Sequence, residues 1–175
     1  MKKNIVILAL ILVTFLLQST LRVVIPAQYS LPNLQVILTC SMGLMRGKKS
    51  GMWTGFFSGM LYDLFFGDLF GFTALCLMYI GYVSGFLYKV FFDSDIRIPM
   101  ATVAVGDLAY NLLFYISEFL LGRHMRFSSW LIRTMLPEAV ISVVAALFFY
   151  YLFRLINGRL VTYEVEEEQS PWLRR

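Results

Sequence analysis

The fold is decided by the stretch from Gly51 to Gly71, which reads GMWTGFFSGMLYDLFFGDLFG. Every fourth position in it is small or acidic, giving the series Gly51, Gly55, Gly59, Asp63 and Gly67. A helix turns by about 100° per residue, so steps of four drift by only about 40° and the series forms one winding stripe. Helices in lipid associate through close backbone contact along such small residues. The stripe, called the glycine ladder below, therefore predicts a membrane helix with a packing seam. This seam is either the contact with the fourth span or a groove that holds the transmembrane helix of a partner.

Asp63 is an unusual residue for such a seam. A carboxylate near the middle of a membrane costs about 2.5–3.5 kcal/mol on insertion scales, so it needs a partner. Two interpretations are open. Asp63 is structural, pairing with a neighbouring helix or reaching the membrane interface, or it has a direct functional role.

The composition indicates a membrane protein. Of the 175 residues, 59% are hydrophobic and only 15% are charged, whereas soluble domains average about 45–50% apolar and 25% charged residues. The net charge is +4, but the basic residues fall in short gaps between apolar runs. They do not form the basic patch that binds nucleic acid. We therefore expect one polytopic domain in the lipid bilayer, with no nucleic-acid partner.

Apolar runs of near membrane-spanning length predict six transmembrane helices in one all-α bundle. They lie at about 4–21, 33–45, 51–66, 72–92, 98–121 and 131–156, within a single domain of residues 1–175. The second run rises only about 20 Å as a helix, so we expect it to be thin or partly re-entrant and sheltered by the protein. The fourth run contains Gly81 and Gly85, whose spacing of four suits the glycine ladder across a short hairpin.

Six spans place both termini on one side of the membrane. If that side is the cytoplasm, it holds 11 of the 15 Lys and Arg residues, as the positive-inside rule requires. We therefore predict that both termini are cytoplasmic (N-in, C-in), with residues 160–175 forming a short charged tail.

Several polar side chains lie inside the predicted spans. On the fifth span, Asp107, Asn111 and Glu118 fall within about 40° of one another. Such a face in lipid looks into the bundle, into a water-filled cleft or at a partner protein. An internal hydrogen-bond network and a cavity or partner site are both open interpretations. Glu138, early in the sixth span, is placed to pair with Arg133 or with the fifth span.

The sequence contains few of the groups that catalysis needs. The single histidine, His124, has no cysteine or serine partner at a catalytic spacing. No metal-binding signature of the HExxH or CxxC type occurs. We therefore predict a protein that is not an enzyme, with no catalytic residue, no metal site and no cofactor.

A remote alternative is an intramembrane aspartyl protease. The segments YD at 62–63 and VGD at 105–107 resemble the paired aspartates of that family, and two facing carboxylates could share a proton and activate water. Ala104 stands where the family's second motif has glycine. This alternative predicts that Asp63 and Asp107 face each other across water.

A series of motifs runs through the chain in a fixed order. They are LPNL at 31–34, MRGKKSG at 45–51, GFFSG at 55–59 with Asp63, Gly67 and FG at 70–71, GDLAYNL at 106–112, and LPE at 136–138. Their order and spacing resemble the rod shape-determining MreD family, from the basic N-terminus to the sixth span. The acidic C-terminal tail is the part that this resemblance does not cover.

The resemblance implies a non-enzymatic scaffold in the bacterial cell membrane, within the cell-elongation machinery that synthesises peptidoglycan. Such proteins are partners of the bitopic MreC protein. Through it they join MreB filaments to wall-synthesis enzymes, namely a RodA-like glycosyltransferase and a class B penicillin-binding protein. The family is also thought similar in fold to the substrate-binding subunits of energy-coupling-factor vitamin transporters. A small-molecule-binding module of that type is the alternative function, and it predicts an outward pocket lined by polar residues from several spans.

Overall fold

The computed structural model describes residues 2–25, 30–67, 69–92, 97–122 and 127–169, and these form helices without any strand. The α-helices are α1 (Lys2–Val24), α2 (Leu34–Arg46), α3 (Lys48–Phe66), α4 (Phe72–Ser84), α5 (Arg97–Leu120), α6 (Phe127–Trp130) and α7 (Leu136–Gln169). A 3₁₀ helix, Gly85–Phe92, continues α4, and a π-helical turn, Leu131–Met135, joins α6 to α7.

A single residue, Gly47, separates α2 from α3. Its φ of 85° lies in the left-handed region, which glycine adopts without the steric penalty that a Cβ brings. Because the chain reverses at Gly47, α3 begins at Lys48, three residues before the predicted start of the third span. Two helices are therefore packed side by side with almost no connecting loop.

The last helix differs from its prediction at both ends. The sixth span is predicted to end at about residue 156, whereas the helix α7 continues to Gln169. A glycine inside a helix costs only about 1 kcal/mol relative to alanine and keeps its N–H, so Gly158 does not end the helix. At the start, Pro137 has no N–H to donate to the carbonyl of residue 133, and the chain before it is wound as the wider π turn.

The core is built around α2. All eleven residues from Leu34 to Leu44 are buried, and α2 contacts α1, α3, α4, α5 and α7. A helix that is covered all round must be surrounded by protein. The short second span thus lies inside the bundle, as expected for an element sheltered by its neighbours.

The exterior is apolar where the helices are long. Among the described residues, three helical segments have the length and mean hydropathy of membrane spans, at Ile5–Val24 (2.2), Arg97–Leu120 (1.3) and Phe127–Phe153 (1.9). Shorter apolar helices lie at Leu34–Arg46 and Phe72–Tyr88. Large apolar side chains face outward, including Phe148, which is 71% exposed. The chain is an all-α membrane protein, while the count of six spans and the N-in, C-in orientation stay predictions.

Candidate functional site

The glycine ladder lies against α4 of the same chain. A Cβ placed on Gly51 would collide with the carbonyl oxygen of Gly81, and a Cβ on Gly81 would collide with that of Gly51. One turn further along α3, a Cβ on Gly55 would collide with the carbonyl oxygen of Leu77. The two backbones are therefore in direct contact, and no larger side chain fits at these positions without moving a helix.

The same close approach extends to both ends of the hairpin. A Cβ on Gly59 would lie 2.5 Å from the Cα of Ala74, near the start of α4. At the other end, a Cβ on Gly85 would collide with the backbone of Lys48. Gly51, Gly55 and Gly59 are thus buried in the α3–α4 contact, so these three glycines are not exposed to another protein.

Asp63 closes this contact at the start of α4. Its side chain is 4% exposed, and its Oδ2 accepts a hydrogen bond of 3.1 Å from the backbone N–H of Ala74. Ala74 lies in the first turn of α4, whose own N-cap residue, Gly71, has no side chain to satisfy these N–H groups. A carboxylate also interacts favourably with the positive end of a helix dipole. Asp63 therefore caps the next helix from outside, which favours its structural interpretation.

Gly67 adjoins this cap. A Cβ on Gly67 would lie 2.7 Å from the Cα of Asp63 and 3.0 Å from its Oδ1. Gly67 therefore leaves room for the Asp63 carboxylate, whereas the earlier glycines of the ladder leave room for the backbone of α4.

The polar residues of α5 are buried but separate into two groups. Asp107, Asn111 and Glu118 are 0%, 3% and 7% exposed, respectively. Asn111 Nδ2 donates a hydrogen bond of 3.1 Å to the main-chain carbonyl of Asp107, whereas Glu118 lines a cavity at the far end of the helix. Asp107 and Asn111 of the predicted shared face therefore lie in a cluster inside the bundle, whereas Glu118 lies at a cavity.

The interior cluster joins α2, α5 and α7. The Glu138 carboxylate lies beside the Asn111 and Asn33 side chains, so it is next to the fifth span. The Ser142 hydroxyl accepts a hydrogen bond of 2.9 Å from the backbone N–H of Asn33. Asp107 lies beside Ser142, but neither carboxylate oxygen has a hydrogen bond of good geometry. We call these five residues the polar junction.

The polar junction also fixes the start of α2. Asn33 is the N-cap, and its Oδ1 accepts a hydrogen bond of 3.3 Å from the N–H of Val36. Gln18 of α1 accepts a hydrogen bond of 3.0 Å from the N–H of Leu34. Asn33 lies in the LPNL motif, but the sequence predicted no contact for Asn33 or Ser142. For Asn33 the available signal was an asparagine directly before an apolar run, which is typical of an N-cap.

The far ends of α1 and α3 are joined by Arg22. Its guanidinium donates a hydrogen bond to the Tyr62 hydroxyl and lies 4.9 Å from the centre of that ring. Phe15 packs against Phe65 nearby, with ring centres 5.3 Å apart. These contacts hold the two helices together at the end that the predicted topology places outside.

The cavity at this end is small. It measures about 190 Å³ and is lined by residues that include Arg22, Tyr62 and Glu118, whereas small-molecule sites usually measure about 300–1,000 Å³. A second polar space, beside Gln18 and Gln35, measures only about 10 Å³, which is about the room one water needs. Within the part of the chain that the structure describes, both of these polar spaces are smaller than the pocket expected of a vitamin-binding module.

The two aspartates of the protease alternative have different neighbours. Asp63 is bound to the first turn of α4. Asp107 lies in the polar junction, where the groups acting on it are Glu138 and Ser142. A catalytic pair would need both carboxylates at one water, and these contacts do not provide that arrangement.

A groove on the outside of the bundle lies between α4 and α5. It measures about 260 Å³ and is almost entirely apolar, with Tyr79, Val83 and Leu87 on the α4 side. On the α5 side it is lined by small or short residues that include Ala101, Val105, Gly106 and Ala109. We call it the α4–α5 groove.

An all-helical chain with membrane-length apolar helices, an apolar exterior and buried polar contacts between helices is an integral membrane protein. A family model described as rod shape-determining protein MreD matches residues 1–157. The chain therefore belongs to the MreD family, and it is a rod shape-determining membrane component. That family is a shape-determining one and not a known enzyme family.

No curated protein and no solved structure matches the chain. Similarity in fold to the vitamin-transporter subunits therefore stays a prediction.

Proposed function

We propose that this protein is a non-enzymatic scaffold of the cell-elongation machinery in the bacterial plasma membrane. Its direct partner is the transmembrane helix of an MreC-like bitopic protein. Through that partner it links MreB-like filaments in the cytoplasm to a RodA-like glycosyltransferase and a class B penicillin-binding protein. Membership of the MreD family supports the shape-determining role.

The α4–α5 groove is the one feature of the structure that supports a binding site for the partner helix. The glycine ladder is occupied by α4, so a partner helix needs another surface of small residues. Ala101, Val105 and Ala109 recur every fourth residue along α5 and line the groove. Val105 is 66% exposed. The two alanines let a second backbone approach closely in lipid, and Val105 between them offers an apolar contact.

The walls of the groove suit a helix better than a polar ligand. Tyr79 and Val83 are 65% and 47% exposed on the α4 side, and Leu87 extends the wall into the 3₁₀ helix. An apolar helix laid between these walls would exchange lipid contacts for close packing, which is the main source of helix association in a membrane.

A co-purification experiment tests this assignment. The chain is solubilised from its native membrane as wild type, as Val105→Trp and as Val140→Trp. Val140 on α7 is 65% exposed, so the control adds the same bulk to a surface outside the groove. We expect the MreC-like protein to be recovered with wild type and Val140→Trp. Its recovery should fall about fivefold or more with Val105→Trp, since misfitting a packed contact costs about 1–3 kcal/mol.

Other outcomes would contradict the proposal. Full recovery with Val105→Trp would remove the partner from the groove. Loss with Val140→Trp alone would move the partner to α7. A wild-type protein that retains a small molecule and no protein partner would replace the scaffold by the binding module. Glycine ladder variants are unsuitable here, because they would disrupt the α3–α4 hairpin itself.

A further inference from the structure

The inner halves of α1 and α3 are separated by a second groove. At their outer ends the two helices are in contact through Arg22 with Tyr62 and Phe15 with Phe65. Towards the other end they diverge, and the space between them measures about 690 Å³. This volume lies within the range of about 300–1,000 Å³ that is usual for ligand sites. We call it the inner groove.

The walls of the inner groove are apolar over the depth of about one leaflet. Ile7, Leu8 and Ile11 form the α1 side, and Trp53 and Phe57 lie on the α3 side. From residue 49 to residue 57 a helix rises about 12 Å, close to half of the roughly 30 Å hydrocarbon core. Leu8, Trp53 and Phe57 are 52%, 54% and 47% exposed, so the groove is open to lipid along its length.

The mouth of the groove is basic. Arg46, the last residue of α2, and Lys49, in the first turn of α3, both line it. None of the described residues that line this groove is acidic. Ser50 lies beside them, and its hydroxyl is buried without a hydrogen-bond partner.

The first turn of α3 adds to this positive field. Its N-cap, Gly47, provides no side-chain hydrogen bond, so the leading N–H groups of the helix are not satisfied by a capping side chain. Unsatisfied N–H groups and the helix dipole together favour an anion at a helix N-terminus. An anion at the mouth would therefore meet two cationic side chains, a free hydroxyl and a helix N-terminus.

We propose that the inner groove binds an anionic phospholipid of the surrounding bilayer. The phosphate lies at Arg46, Lys49 and Ser50, and one acyl chain runs between α1 and α3 along Leu8 and Phe57. The predicted N-in, C-in topology places the mouth at the cytoplasmic surface, where anionic lipids attract basic residues near the membrane. The basic mouth complements the anionic headgroup of such a lipid, and the apolar walls of leaflet depth complement its acyl chain.

Trp53 provides an internal reporter of lipid in the groove. The full-length chain, with Trp130→Phe and Trp172→Phe to leave Trp53 as the one indole, is reconstituted in phosphatidylcholine vesicles. Phosphatidylglycerol or phosphatidylcholine carrying brominated chains is then added in increasing proportion, and quenching of Trp53 gives the relative binding constant of the two lipids. The same titration is made with Lys49→Gln and Lys48→Gln.

Lys48 is the matched control because it is adjacent in sequence but does not line the groove. Its ammonium lies 3.4 Å from the centre of the Phe86 ring. We expect phosphatidylglycerol to be preferred by wild type, and Lys49→Gln to lower that preference about fivefold. Lys48→Gln should change it less than about twofold, as screened surface charges do.

Two results would overturn the proposal. Equal quenching by brominated phosphatidylglycerol and brominated phosphatidylcholine would show that the groove does not select an anion. Equal losses with Lys48→Gln and Lys49→Gln would show attraction to the whole basic surface and not to this groove. Thermal unfolding of each variant in detergent confirms that the comparison is between folded proteins. It should change little, because Lys49 is exposed and Lys48→Gln loses only an exposed contact with Phe86, and such exposed cation–π contacts are weak.

Discussion

The α3–α4 hairpin and the polar junction hold helices together in two different ways. In the hairpin, glycines bring one backbone directly against another, and Gly51 and Gly81 leave no room for a side chain on either helix. In the polar junction, helices from three parts of the chain meet through polar groups. The Ser142 hydroxyl accepts a hydrogen bond from the backbone N–H of Asn33, and Glu138 lies beside Asn111. The hairpin contact depends on positions that have no side chain, and the polar junction depends on particular polar groups.

The difference between backbone contact and side-chain hydrogen bonding indicates where the stability of the bundle is concentrated. Backbone contact cannot be adjusted by changing a rotamer, so any added atom must displace a helix. Hydrogen bonds between membrane helices contribute on average only about 0.6 kcal/mol, because the unfolded chain in the membrane also finds partners. The hairpin should therefore tolerate substitution far less than the polar junction does.

The largest effect is expected for Gly55→Leu. The new side chain would collide with the backbone of Leu77, and overpacking against backbone should cost about 3 kcal/mol or more in free energy of unfolding. The control is Ala9→Leu, which adds similar bulk at an exposed position of α1. Unfolding by SDS titration in mixed micelles measures both. Equal stability of the two variants would show that the helices are not in backbone contact.

A smaller effect is expected at the cap. Asp63→Ala removes the acceptor for the Ala74 N–H and should cost about 1–2 kcal/mol of unfolding free energy, as other lost N-caps do. Asp63→Asn keeps an acceptor oxygen but loses the charge at the helix N-terminus, so it should cost about 0.3–1 kcal/mol. The same titration distinguishes them. If Asp63→Asn were as damaging as Asp63→Ala, the charge and not the hydrogen bond would be the stabilising feature.

The smallest effect is expected in the polar junction. Ser142→Ala removes the acceptor for the N–H of Asn33 and should lower the unfolding free energy by about 0.5–1 kcal/mol. Ser129→Ala, at an exposed position of α6, should leave it unchanged. A loss above that of Asp63→Ala would reverse the comparison and make the polar junction the dominant contact.

Helix periodicity alone predicts much of the hairpin. A spacing of four places Gly51, Gly55 and Gly59 on one stripe whatever the rest of the chain does, because the period of a helix is a local property. The matching pair Gly81 and Gly85 followed from the same rule. The partner of Asp63 could not be predicted, because it is a backbone N–H, and every residue except proline carries one.

The polar residues show the limit of the same reasoning. Their helical angles placed Asp107, Asn111 and Glu118 on one face, but an angle does not give the distance along the helix at which each one meets a neighbour. Asn111 meets Glu138 of α7, whereas Glu118 lies at a cavity near Arg22. The choice between Arg133 and the fifth span for Glu138 also required the packing of α7.

The sequence by itself determined that this chain is helical, lies in a membrane, carries a small-residue seam and belongs with the MreD family. These properties follow from composition, periodicity and motif order. Each of these is visible in a short segment or in the chain as a whole, without knowing which helices are in contact. Only the tertiary structure decided that the glycine ladder packs within the chain and that Asp63 caps α4. It also decided that the α4–α5 groove and the inner groove lie on the surface of the bundle. Such facts depend on which surfaces meet, and helices joined by short turns can meet in several ways until side chains from distant segments fix one arrangement.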